Sequence, residues 1–166
     1  MARAPRARRY WLLKSEPEAF SFQDLLAAPR RRTAWEGIRN YQARNLLRDE
    51  MAKGDLALFY HSSAKPPGVA GVARIAGPAG PDPTQFDRRS DLYDPRSDPQ
   101  APTWLQVPVE AVAELPRYVP LDLLRDQPEL RGMLLLRRGQ RLSVQPVSKA
   151  EWRCVLALGG LDPGRF

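Results

Sequence analysis

Asp55-Leu56-Ala57-Leu58-Phe59-Tyr60-His61 is the stretch whose reading decides the fold. Its apolar and aromatic residues run without a break from Leu56 to Tyr60. A half-buried strand would alternate wet and dry side chains, so this one is covered on both faces and lies inside a sheet. Such a strand needs neighbours on both edges and a layer against each face. Tyr10-Trp11-Leu12-Leu13-Lys14 is one neighbour, stopped by Ser15-Glu16-Pro17. After a turn over Ser62–Gly68 the chain returns as Val69–Ile75, with Gly71 marking a bulge or a close backbone approach. Trp104–Val112 is a further strand in which Pro108 implies an edge or a bulge, and Leu142–Val147 is the last.

Helical segments fall between these strands. Phe20–Leu26 is a short helix with Ser21 as cap and Asp24 three residues on. Asn40–Met51 reads as a helix with Asn40 as N-cap, Leu46, Leu47 and Met51 inward, and Lys53-Gly54 at its end. Val119–Arg125 carries a proline near its first turn. Ser148–Glu151 is a capping box that opens a terminal helix through Leu158, closed by Gly159-Gly160. Residues 76–102 are rich in Pro, Gly and Asp with little periodicity, a length of irregular chain that is usually functional or mobile. Five to six strands with short helices predict an α+β fold, a mixed β-barrel with helices packed around it. One domain is expected over residues 9–160, with a basic flexible tail at 1–8 and a C-terminal tail at 161–166.

The 166 residues suffice for one domain that buries about 70% of its unfolded surface. Lys and Arg number 26 against 19 Asp and Glu, a formal charge of +7. That balance suits a polyanion such as nucleic acid, and its arginine-heavy make-up suits bidentate phosphate contacts. A genome that favours Arg, Ala and Pro would leave the same signature, so the charge alone keeps both readings open. Cys154 is the single cysteine, which excludes an intrachain disulfide or a cysteine metal cluster, and it reads as core filler. With one histidine besides, no metal site is expected. No apolar run approaches the ~20 residues of a membrane span, and no secretory signal is visible. A cytoplasmic monomer with no membrane partner follows as the expectation. Phosphate-cradling glycine loops and a nucleophile elbow are absent from the sequence, so no cofactor is expected. Asp82, Asp87, Asp91, Asp94 and Asp98 read as turn-formers in the long loop.

The stretch Trp35-Glu36-Gly37-Ile38-Arg39-Asn40-Tyr41-Gln42-Ala43-Arg44-Asn45 mixes rings, amides and arginines. It suits a pocket wall that stacks on a flat ligand and reads its edge. Trp35 and Tyr41 suit equally well a role as core aromatics that pin a helix. Lys14–Pro17, Phe59–Ser62 and Arg137–Ser143 also place polar groups at strand ends. An extruded base is held by aromatic stacking and read on its Watson–Crick edge, while arginines hold phosphates. His61 is either a ligand contact or a strand-end histidine bonded to backbone.

Six ordered motifs carry a resemblance. They are Tyr10–Pro17, Trp35–Asn45, Lys53–Ser62, Pro66–Ala73, Tyr93–Ser97 and Arg141–Val147. Together they resemble the signature of EVE-domain proteins of bacteria and animals, from about Tyr10 to Gly160. The resemblance implies a PUA-like fold related to YTH and ASCH domains, and the binding of modified DNA or RNA bases without catalysis. Lys14, Ser15 and Trp35 stand where YTH-like relatives carry a Lys-Ser pair beside the base and a cage tryptophan. Arg39, Asn40 and Tyr41 follow as wall and edge-reading residues, and Tyr60, His61 and Ser62 face them from the neighbouring strand. Arg44, Arg137, Arg138 and Arg141 are the expected phosphate contacts. The chain departs from the pattern at Leu92, where a second tyrosine is common, and at Gln140, where asparagine is frequent. Two other functions stay in view: an ASCH-like enzyme with His61 or Lys14 as acid/base, and a protein-interaction module whose charge is incidental.

Overall fold

In the computed structural model, which describes residues 6–166, Leu56–His61 (β3) is buried along its length except at His61. It pairs in parallel with Tyr10–Ser15 (β1) and antiparallel with Gly68–Ile75 (β4). Beyond β4 lie the long strand Leu105–Pro120 (β6) and then Arg32–Trp35 (β2); beyond β1 lies Val144–Val147 (β7). A two-residue strand, Gly80–Pro81 (β5), pairs with β6. Among the described residues the mixed sheet of this α+β fold therefore has seven strands rather than five or six. The two unread strands are β2, hidden at the start of the aromatic motif, and β5, too short to carry a period. The end strands β2 and β7 do not pair with each other, so the sheet stays open. It still encloses one core, because Trp35 of β2 and Val144 of β7 belong to the same buried cluster.

The lack of alternation in β3 has a direct cause. Ala57 and Phe59 join Trp11, Leu13 and Ala73 on one face, against the helices Phe22–Ala27 (α1) and Tyr41–Asp49 (α2). Leu56, Leu58 and Tyr60 join Leu12 and Val72 on the other, against Leu121–Arg125 (α3) and Lys149–Leu158 (α4). Each face has its own helical layer, so every position must be apolar. The helices start where their caps predict. Ser21 with Asp24 and Ser148 with Glu151 form reciprocal capping boxes, and the Asn40 side chain accepts from the Ala43 N–H.

Several boundaries differ from expectation. Helix α2 ends at Asp49, and Gly54, with φ +94°, instead turns the chain into β3 while its N–H donates to the Ile75 carbonyl. Val119 and Pro120 remain in β6, and α3 begins after them. Pro108 lies in an interior strand, not an edge. Its carbonyl accepts from the Ala76 N–H, so its nitrogen faces the gap between the end of β4 and β5, where no ladder donor is required. The part of the basic tail before residue 6 lies outside the described residues. Arg6, placed in that tail by the sequence, donates to Asp55 at 2.8 Å. Asp55 is buried and also accepts from Trp11 Nε1, Arg9 N and Ala52 N. Burial opposes its charge, but these donors outweigh the cost and hold its carboxyl below the usual range. Leu161 and Phe166 pack on the core beside α4, so the C-terminal stretch is also joined to the domain.

Gly71 is a close backbone approach. A Cβ there would lie 2.4 Å from the Phe22 ring, and the β4–β6 register shifts beside it. Gly71→Ala is expected to destabilise the protein by about 1–3 kcal/mol, read as a lower urea midpoint. Gly80→Ala, with open space around its Cβ, should stay within about 0.5 kcal/mol of wild type. Equal midpoints for the two variants would contradict the contact.

Candidate functional site

The C-terminal ends of β1 and β2 open into a cavity of about 480 Å³. It is lined by Lys14, Ser15, Glu16, Ala19, Phe20, Thr33, Ala34, Trp35, Glu36, Gly37, Ile38 and Ser143. Its size is that of small-ligand sites. Trp35 is 8% exposed and meets Phe59 edge to face at 5.5 Å, so it is a core aromatic and a cavity wall at once. Thr33 lies two residues before it on β2 and shares its face. No salt bridge holds Lys14 among the described residues, and burial pushes its ammonium below the ordinary range. A larger hollow of about 700 Å³ lies where Ala7–Trp11 pass Pro146–Lys149. Its aromatics are engaged elsewhere: the buried Trp11 donates its indole N–H to Asp55, and Tyr10 packs on Trp152 with ring centroids 4.8 Å apart.

The far wall of the cavity is set by Asp82. Gly37, at φ +82°, turns the chain from β2 toward α2, and its N–H donates to Asp82 Oδ2 at 2.8 Å. Arg39 Nη1 donates to the same oxygen at 3.1 Å, and Arg39 also reaches Thr84 Oγ1 and the Leu92 carbonyl. The other oxygen of Asp82 accepts from the Thr84 N–H and hydroxyl. Burial works against this charge, yet donors from Thr84, Gly37 and Arg39 outweigh it and depress the pKa. Gln85 is buried beside it, donating to the Asp82 and Trp104 carbonyls and accepting from the Trp104 N–H and Ser97 hydroxyl. Residues 76–102 are therefore a hydrogen-bonded brace. Asp82 is more than a turn-former, whereas Asp87, Asp94 and Asp98 do bond the N–H two residues on. Leu92 packs on the turn, 3.3 Å from where a Gly37 Cβ would stand.

Of the residues singled out from sequence, Lys14, Ser15 and Trp35 meet at the cavity. Ser15 turns its hydroxyl to the Phe20 carbonyl, and the Ser62 N–H donates to the Ser15 carbonyl. Arg39 is a brace rather than a free ligand group. Asn40 uses its side-chain oxygen on the α2 cap. Tyr41 stands outside the cavity lining, 60% exposed, against Trp104 and under the Arg44 guanidinium. Arg44 also donates to the Thr103 carbonyl. Tyr60 requires correction: it belongs to the opposite face of β3, buried in the α3–α4 layer, where burial pushes its hydroxyl up to about 12. His61 accepts the Phe22 N–H on Nε2 at 3.1 Å, the backbone-bonded alternative, and burial lowers its pKa. Arg137, Arg138 and Arg141 are exposed on the loop that leads into Ser143 of the cavity, and no salt bridge engages them among the described residues. Gly37, Ile38 and Ser143 lay inside the quoted motifs without being singled out. Thr33 and Ala34 required recognition of β2. Among the described residues no group of three or more His, Cys, Asp or Glu could hold a metal ion, and no helix is long and apolar enough to cross a membrane.

The family model of the EVE domain matches residues 9–158. Human thymocyte nuclear protein 1 is 42% identical over 171 residues, which cover 93% of this chain and 75% of the human protein. The crystal structure of human THYN1 in complex with DNA containing 5-methylcytosine matches with TM-score 0.87 at 42% identity, over 93% of this chain and 99% of that one. A crystal structure of a Pseudomonas syringae protein matches with TM-score 0.85 at 41% identity, over 90% and 99%.

Asp82→Asn leaves Arg39 facing a neutral partner and is expected to cost about 3 kcal/mol or more in thermal or urea denaturation. Asp87→Asn, exposed in the same segment, should stay within about 0.5 kcal/mol. His61 adds a pH dependence. Its folded pKa lies below the unfolded 6.5, so its stabilising bond is complete above pH 6.5 and is lost as pH falls through the folded value. Stability measured from pH 7.5 downward should fall through that window in wild type and flatten in His61→Gln. An imidazole titrating above 6.5 by NMR would contradict the assignment.

Proposed function

The chain belongs to the EVE-domain family, and from that premise we propose that it is a non-catalytic nucleic-acid-binding module that takes a modified base into the Trp35 cavity. One observation carries the reading: a cavity of about 480 Å³ walled by Trp35 holds Lys14, which makes no salt bridge among the described residues, and lies beside the exposed Arg137, Arg138 and Arg141. The relative crystallised with DNA containing 5-methylcytosine supports it. In this reading Trp35 contacts the base, Lys14 and the loop arginines meet phosphates, and Thr33 and Ser143 face the base edge. Arg44 extends the phosphate path. The His61 imidazole, occupied by the Phe22 N–H, supports binding over acid/base chemistry. The module acts as a cytoplasmic monomer on DNA or RNA, without membrane contact.

Magnitudes bound what the cavity can discriminate. Burying one methyl contributes ~0.8 kcal/mol, about fourfold in affinity. Stacking adds ~1–3 kcal/mol but tolerates any base. Stronger selectivity requires hydrogen bonds that a wrong base leaves unmade.

Titration of single-stranded and duplex oligonucleotides, with cytosine or 5-methylcytosine, at about 50 and 200 mM salt tests the proposal. Wild type should prefer the modified base by roughly fourfold or more. Trp35→Phe, which keeps a ring in the core, should weaken both affinity and preference. Arg137→Ala with Arg138→Ala should flatten the salt slope by roughly 0.7 per lost phosphate contact on single strands. Binding that follows salt alone and ignores both the modification and Trp35→Phe would sink the reading.

A further inference from the structure

Tyr41 is exposed in a way no other aromatic of the described chain matches. It is 60% exposed, while Tyr118, the other exposed large ring at 37%, has its hydroxyl bonded to the Pro66 carbonyl. An aromatic left in water usually swings freely, but this one is held. Its ring centroid lies 4.9 Å from that of Trp104 at a tilt of 37°, and the Arg44 guanidinium sits 5.2 Å from the ring centre. Trp104 is itself immobilised: it is buried, its indole N–H donates to Asp94 at 2.7 Å, and its backbone N–H donates to Gln85. Arg44 is fixed by Asn45 and by the Thr103 carbonyl. The result is a preorganised ring, packed against an indole and lying under a guanidinium, with 60% of the residue still open to solvent.

Resting on the proposed function above, we infer that Tyr41 is a second stacking platform, which receives the base adjoining the one in the Trp35 cavity. Ile38 lines the cavity and Tyr41 follows three residues later, at most about 11 Å along extended chain. That bound applies to the two Cα atoms, and a single nucleotide step of the same strand falls within it. A rigid aromatic loses little entropy when a base settles on it, and the π-face accepts any base. Arg44 adds a positive charge where the linking phosphate runs. In a duplex the neighbouring base is already stacked and paired, so the platform favours a single or locally opened strand. The site therefore engages at least two adjacent nucleotides, one read in the cavity and one held without regard to sequence.

The test compares the mononucleotide 5-methyl-dCMP with a single-stranded trinucleotide carrying 5-methylcytosine at its centre, by chemical-shift or fluorescence titration. Tyr41→Ala should leave mononucleotide affinity unchanged and weaken the trinucleotide roughly five- to 150-fold. An abasic residue on one flank should reproduce that loss in wild type and add nothing in Tyr41→Ala. Equal weakening of both ligands would place Tyr41 in the cavity itself and overturn the inference, as would an unchanged trinucleotide. Failure of wild type to bind either probe would remove the reading of the cavity and this inference with it, an outcome distinct from a normal wild type with an insensitive variant. Tyr41→Phe, which retains the ring, should behave as wild type, and a melting curve for each variant confirms folding.

Discussion

The buried carboxylate of Asp82 joins the wall of the Trp35 cavity to the segment that carries Trp104. Asp82 is fully excluded from water and takes donors from Gly37, Arg39 and Thr84. An isolated charge at that depth would be costly, and it is tolerable only because each lone pair finds a partner. That requirement works in both directions. The donors keep Asp82 charged, and Asp82 dictates where the turn after Trp35 must run. The same irregular segment continues through Gln85 to Trp104 and so reaches Tyr41. The wall of the cavity and the exposed ring beyond it are thus held by one hydrogen-bonded brace.

The sheet explains why the cavity has the membership it has. Strands β1 and β2 run in opposite directions in the sheet, and the cavity forms where the curled sheet brings their last residues together with the Ser143 loop. Period-two alternation then sorts the neighbours of each strand residue. Phe59 faces Trp35 and supports the cavity from below, while Tyr60, one residue on, enters the opposite layer. A motif that reads Phe-Tyr-His-Ser as a continuous surface is divided by the pleat into a supporting ring, a core tyrosine and a histidine that secures the start of α1. Rigid scaffolding of this kind suits recognition, because side chains locked by packing lose little freedom when a ligand arrives.

Much of the fold was legible in the sequence because its signals are local. The unbroken apolar run of β3 announced a strand with two covered faces. Ser21 with Asp24, Asn40, and Ser148 with Glu151 marked helix starts through hydrogen bonds that span only three residues. Lys14, Ser15 and Trp35, picked out by the ordered motifs that contain them, do line one cavity. Strand β2 was not, since four residues with one buried side chain carry no usable period. Tyr41 stands out in the sequence as an aromatic among polar residues, but its place outside the cavity lining is visible only in the fold.

What the sequence by itself determined is five of the strands and the main helices, the central place of β3, the family resemblance and the interest of the residues around Trp35. Each of those rests on spacing within a few residues or on ordered motifs. Only the tertiary structure decided which carboxylates are buried, that Arg39 braces the segment at Asp82, that Tyr60 packs in the α3–α4 layer, that His61 bonds the Phe22 N–H, and that Tyr41 lies exposed against Trp104. The reason is physical. Burial, and the hydrogen-bond partners it makes obligatory, arise from residues more than forty positions apart, such as Gly37 and Arg39 with Asp82, and no local pattern records them.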